Sequence, residues 1–141
     1  MEFWGRGRAK MRISGSGLDC EIDTAERDAE GWMRTLVSVK TAGFEGSFAC
    51  AIQIEEWRGF VQALRKLEAS VGQDATVSWR NMEENIEFRF KLDRRGALEC
   101  AYGFSPNVLS LGPTLRGSFE ADQTFLHGWV REAEETLQNA G

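Results

Sequence analysis

The chain has 141 residues, 42% of them hydrophobic and 28% charged, with a formal net charge of -5. These are values of one globular domain with a single core, not of a disordered or fibrous chain. The acidic balance argues against a phosphate backbone as direct partner, and the short apolar runs exclude a bilayer-spanning helix or a secretory leader, so a cytoplasmic protein is expected.

Met1 to Gly7 sets Phe3 and Trp4 among glycines and arginines, and residues 1–9 are expected to form a flexible segment ahead of a single domain over 10–141. From Ala9 the chain alternates. Met11 and Ile13 take turns with Lys10 and Arg12, Gly15-Ser16-Gly17 makes a turn, and Leu18, Cys20 and Ile22 take turns with Asp19, Glu21 and Asp23. This is a hairpin whose outer faces carry opposite charge, an arrangement that favours its register. Thr24 to Gly31 has no apolar period and reads as an acidic loop.

A second hairpin follows, with Met33, Val37 and Val39 on one face of its first strand and Phe44, Phe48, Cys50 and Ile52 on one face of its second, around Thr41-Ala42-Gly43. At Glu55 the period changes to about 3.6. Trp57, Phe60, Val61, Leu64, Leu67 and Val71 form one helical stripe, early acids suit the positive end of a helix, and Gly72 stops it.

Ala75, Val77 and Trp79 suggest a short strand, and Asn81 to Glu84 a polar turn. Asn85 to Phe104 has the sharpest pattern. Ile86, Phe88, Phe90 and Leu92 alternate with charges, Asp93-Arg94-Arg95-Gly96 turns the chain, and Leu98, Cys100, Tyr102 and Phe104 resume. Ser105 to Pro113 is a loop whose Val108, Leu109 and Leu111 are expected to pack down, and Leu115, Gly117 and Phe119 make a last strand. A second helix follows Ala121, with Phe125, Leu126, Trp129, Val130, Ala133 and Leu137 on one face. The fold class is therefore α+β. A largely antiparallel sheet of about seven to eight strands, curved or two-layered, is covered by two amphipathic helices over about 54–71 and 122–138.

No chemistry is written into this pattern. His127 is the one histidine and has no ligand-spaced companion, so no catalytic group, metal site or cofactor is predicted. Cys20, Cys50 and Cys100 fall on apolar phases and read as reduced core residues, and the glycine pairs lack the context of a phosphate loop. Between Asp19 and Glu30 lie six acids, Asp19, Glu21, Asp23, Glu26, Asp28 and Glu30, against Arg27, so this stretch alone carries the net charge. It reads either as a solvated face or as a patch for a basic protein partner. Arg6, Arg8, Lys10 and Arg12 beside it read as internal pairing.

Several short stretches resemble the bacterial family of WapI-like immunity proteins. They are Asp28-Ala29-Glu30-Gly31-Trp32, Val37 to Ser47, Glu55-Glu56-Trp57 and Asp122-Gln123-Thr124-Phe125-Leu126. The likeness covers about Met11 to Leu137. It implies a non-enzymatic, cytoplasmic protein that occupies and blocks a toxin domain, often a nuclease, and it marks no binding residues. The acids from Asp19 to Glu30 are the candidate contact surface. A rival reading is a small-molecule site lined by Trp57, Trp79, Tyr102 and Trp129 between sheet and helices, and self-association through an edge strand also stays open.

Overall fold

The computed structural model describes residues 7–106 and 112–141, and in it the chain runs twice through one order of elements, four strands and then a helix. The first half contains β1 (Ala9–Gly15), β2 (Leu18–Arg27), β3 (Trp32–Thr41), β4 (Phe44–Gln53) and α1 (Ile54–Ala69). In the second lie β5 (Ala75–Arg80), β6 (Ile86–Leu92), β7 (Ala97–Phe104), β8 (Leu115–Asp122), a 3-10 turn (Gln123–Phe125) and α2 (Leu126–Ala140). Every strand pairs antiparallel with its sequence neighbour, giving two four-stranded meanders, β1-β2-β3-β4 and β5-β6-β7-β8. The expected α+β class is what the chain adopts, with eight strands divided between two sheets. No helix among the described residues is long and apolar enough to cross a membrane. The expectations for Phe3, Trp4 and Arg6, and for Val108, Leu109 and Leu111, lie outside the described residues.

Alternation dictates the sheets. In the Asn85 to Phe104 hairpin Ile86 pairs with Phe104, Phe88 with Tyr102 and Phe90 with Cys100, so all the apolar groups reach one face and are buried. Asp93 closes the turn by accepting from the amides of Arg95 (2.8 Å) and Ala97 (3.0 Å), while Gly96 takes φ +94°. The two sheets meet where the β1–β2 turn touches β8: Ser16 and Glu120 exchange backbone hydrogen bonds of 2.8 and 3.1 Å. Gly15 permits that approach, since a Cβ there would lie 2.4 Å from the Glu120 carbonyl and 2.8 Å from the Phe119 ring.

The helices bury one stripe each, Ile54, Trp57, Phe60, Val61, Leu64 and Leu67 on α1, Leu126, Trp129, Val130, Ala133, Thr136 and Ala140 on α2. They pack on each other, and each also crosses to the opposite half: α2 lies against β1 and β2, α1 along β5. Two indoles tie this layer together, Trp57 Nε1 donating to the Ala133 carbonyl (2.9 Å) and Trp79 Nε1 to the Glu56 carbonyl (2.9 Å). The Glu56 carboxylate in turn accepts from the Gln53 amide (2.9 Å), capping α1, and from the Met82 amide in the β5–β6 turn. That turn is less solvated than its polarity suggests. Asn81 and Asn85 are buried and bonded to each other, to the Ile86 amide and to the Ser105 carbonyl.

Four local expectations are corrected. Of the expected loop Thr24 to Gly31, only Asp28 to Gly31 is a turn: β2 continues to Arg27 through a register shift between Thr24 and Arg27 that buries Thr24 and Ala25 in succession and so erases the period. Val71 leaves the helical stripe: α1 ends at Ala69, Gly72 takes φ +97°, and Val71 is exposed. Asp122 ends β8 and caps the 3-10 turn through the Thr124 amide (2.8 Å), so α2 begins at Leu126. On β4 the apolar phase is buried at Ile52 alone; Phe48 and Cys50 are half-buried and Phe44 is 64% exposed, because β4 is an outer strand.

Candidate partner-binding surface

The six acids divide into two groups. Asp19, Glu21 and Asp23 alternate along β2 and point away from the core, and the register sets Lys10 opposite Asp23 and Arg12 opposite Glu21. Ion pairs follow from it: Arg8 Nε to Asp23 (2.9 Å), Lys10 to Glu21 (3.7 Å), and Arg12 to both Asp19 (3.4 Å) and Glu21 (3.3 Å). Arg8 also donates to the Asp23 carbonyl at 2.7 Å. The basic stripe of β1 is thus engaged with the acids of β2, as its spacing predicts.

Glu26 lies within the register shift near the end of β2, Asp28 and Glu30 in the β2–β3 turn, and all three are exposed. Asp28 has a local task. Its carboxylate accepts from the amides of Glu30 (2.9 Å) and Trp32 (3.0 Å), and these backbone bonds, the one from Trp32 above all, hold its pKa below the ordinary 3.8. Among the described residues no ion pair within 4.0 Å involves Glu26 or Glu30.

The outer face of the first sheet is therefore banded and not uniformly acidic: basic on β1, acidic on β2, and on β3 Arg34 and Lys40 flanking Leu36 and Ser38. An open groove of about 520 Å³ crosses the bands, lined by Arg12, Asp19, Glu21, Ser38, Lys40, Glu45 and Ser47 among others. A second groove of about 390 Å³, mostly apolar, runs past Phe44 and Phe48 to Phe104, Pro106, Pro113 and Leu115. Sequence reasoning places Lys40 on the outward face of its strand, as the structure does, but misses Leu36 and Phe44 as surface residues. The one signal was composition, since β4 carries Glu45 and no other charge.

The other candidates resolve into core. Trp57, Tyr102 and Trp129 are buried and Trp79 half-buried; Trp57 meets Trp79 edge-on at 6.1 Å and Trp129 lies 5.5 Å from Phe90. These rings fill the space in which the rival ligand was expected. The three cysteines are free; burial pushes the thiols of Cys50 and Cys100 up to about 12 and that of Cys20 higher still. His127 is exposed on α2 with Nδ1 3.5 Å from Glu68 of α1. Among the described residues no three His, Cys, Asp or Glu side chains converge as a metal site would require.

The pattern that carried the resemblance, from Asp28-Ala29-Glu30-Gly31-Trp32 to the entry of α2, spans both halves of this fold. The family model described as immunity protein WapI-like family matches residues 3–141. The chain belongs to that family. This WapI-like chain has no match among curated proteins. Among solved structures it is similar to a protein of unknown function from the DUF155 family of Prochlorococcus sp. NATL2A, at 10% identity and a TM-score of 0.34, covering 89% of this chain and 97% of that one.

Proposed function

We propose that this WapI-like protein is a cytoplasmic, non-enzymatic immunity protein that binds a toxin domain and blocks it. The match of the immunity family over residues 3–141 carries this reading. The partner's chemistry is read from the surface. A basic domain, such as a nuclease whose own site attracts phosphate, suits the acids Asp19, Glu21, Asp23, Glu26, Asp28 and Glu30, of which Glu26 and Glu30 are exposed with no ion pair among the described residues. Charge of that kind speeds encounter and selects partners more than it adds affinity. Inhibition needs no catalytic group here: covering a site is enough.

Copurification from the native host identifies the partner, and a secreted toxin encoded beside this chain is the expected neighbour. With the partner in hand, Glu26→Lys/Glu30→Lys should slow association by roughly tenfold at low salt and leave dissociation nearly unchanged. These positions are chosen because reversing Asp19, Glu21 or Asp23 would also break pairs with β1. An unchanged association rate removes the acidic turn from the contact surface.

A further inference from the structure

Three of the four outer strands in this molecule have something against their free edge. On β1 the outward amide of Arg12 donates to Glu132 of α2 at 2.8 Å, β8 is met by Ser16 through the paired bonds at Glu120, and β5 is short and has α1 alongside it. For the fourth, β4, nothing among the described residues bonds to the free edge. It is 10 residues long, follows β3 in unbroken register from Thr41–Phe44 to Trp32–Gln53, and contains no lysine, proline or bulge. Those are the devices by which an edge strand is kept from pairing with another chain.

The register says which groups are free. The Ile54 amide bonds to the Gly31 carbonyl (2.9 Å), so the pairs bonded across β3–β4 are the alternate ones, Phe44, Gly46, Phe48, Cys50 and Ile52 on the β4 side. The N–H and C=O groups of Glu45, Ser47, Ala49 and Ala51 consequently point outward, and among the described residues no side chain bonds to them. The Gln53 amide, next in that series, is taken by Glu56. Four consecutive outward positions remain.

We propose that β4 pairs antiparallel with β4 of a second copy of this chain, joining two first sheets into one continuous sheet. One register uses all four positions, with Glu45 bonded to Ala51 and Ser47 to Ala49 of the second copy, for about eight inter-strand hydrogen bonds. The two-fold axis then passes between the two Phe48 residues. Sequence and charge fit it. The side chains at the bonded positions Ser47, Ala49 and Ala51 are small, and Glu45, the one charge on β4, faces Ala51, whose β3 neighbour is Arg34, so no like charges are opposed. Phe44, 64% exposed in the single chain, comes to lie opposite Ile52 of the second copy.

Light scattering on the full chain over a concentration series, with a cross-linking pair, tests this. The expected mass is twice the 15.8 kDa of one chain. Ala49→Pro deletes an outward amide and Ala49→Lys keeps the amide but adds a charge near the axis; either should weaken the dimer by tenfold or more while circular dichroism stays that of the parent. The register is read independently through Gly46→Cys. A Cβ at Gly46 meets nothing within 4 Å, and this position faces the native Cys50 of the second copy, whereas both lie on one strand too far apart to pair within a chain. Oxidised Gly46→Cys should run as a covalent dimer, and Ser47→Cys, which faces Ala49, should not. A monomer at about 100 µM, or a dimer in which Gly46→Cys fails to cross-link or that both Ala49 variants leave intact, overturns the proposal.

Discussion

At Asp28, Asp93 and Asp122 one short side chain replaces a missing backbone partner, and each carboxyl is held below its ordinary pKa of 3.8. Backbone amides are the leading cause for Asp28 (Trp32) and Asp93 (Ala97), and the Thr124 hydroxyl for Asp122. Since the folded values lie below the unfolded ones, the unfolded chain takes up more protons as the pH falls. The stabilisation is present in full above about pH 4 and is lost as the pH drops through the folded values. Asp28→Asn/Asp93→Asn keeps the accepting oxygens and removes the titration. Its unfolding midpoint in urea should change less between pH 5 and 2.5 than that of the parent; parallel acid limbs would show that other carboxyls govern acid unfolding. These turn roles are legible in sequence, where Asp93-Arg94-Arg95-Gly96 announces a turn between two alternating runs. The role of Glu56 is not, because its second partner, the Met82 amide, is brought near by the chain's folding and by no local pattern.

At the scale of elements, period and partner separate what sequence shows from what it hides. The Asn85 to Phe104 hairpin is read correctly because strict alternation and a glycine turn leave one register that buries every large side chain. β2 is cut short because its register shift puts Thr24 and Ala25 both inward, and a period-two search stops at that point. The acids are legible as a cluster, and their pairing with Arg8, Lys10 and Arg12 follows from hairpin spacing. The place of β4 at the end of its sheet is not, since which strand ends a sheet depends on strand order. Between elements the Trp57 indole is the clearest joint, buried in α1 and bonded to the Ala133 carbonyl of α2. Trp57→Ala should cost about 3–5 kcal/mol, since it opens a cavity under both helices. Trp57→Phe keeps most of the packing and loses the hydrogen bond, so roughly 1–2 kcal/mol is expected. Equal losses in thermal or urea unfolding would mean that the hydrogen bond, and not the volume, holds the helices together.

For the whole molecule, repetition of four strands and a helix invites the idea of two independent halves, and the packing contradicts it. The inner face of the first sheet, with Met11, Ile13, Cys20 and Ile22 fully buried, lies under α2 from the second half, while α1 from the first half lies along β5. Each sheet borrows cover from the other half, and a sheet with a bare apolar face is not stable in water. The connection between the halves is short and exposed, Val71 to Asp74 with Gly72 at φ +97°, which makes it the place to cut without touching the core. Residues 1–72 and 73–141 expressed separately should each lack a cooperative unfolding transition and give poorly dispersed amide spectra. Mixed or coexpressed, they should associate and recover both, since the groups that cover each sheet are then supplied by the other fragment. A cooperative melt by either fragment alone would show that its own helix folds back to cover its own sheet, and the crossing of α1 and α2 would then be a consequence of the connection and not its requirement.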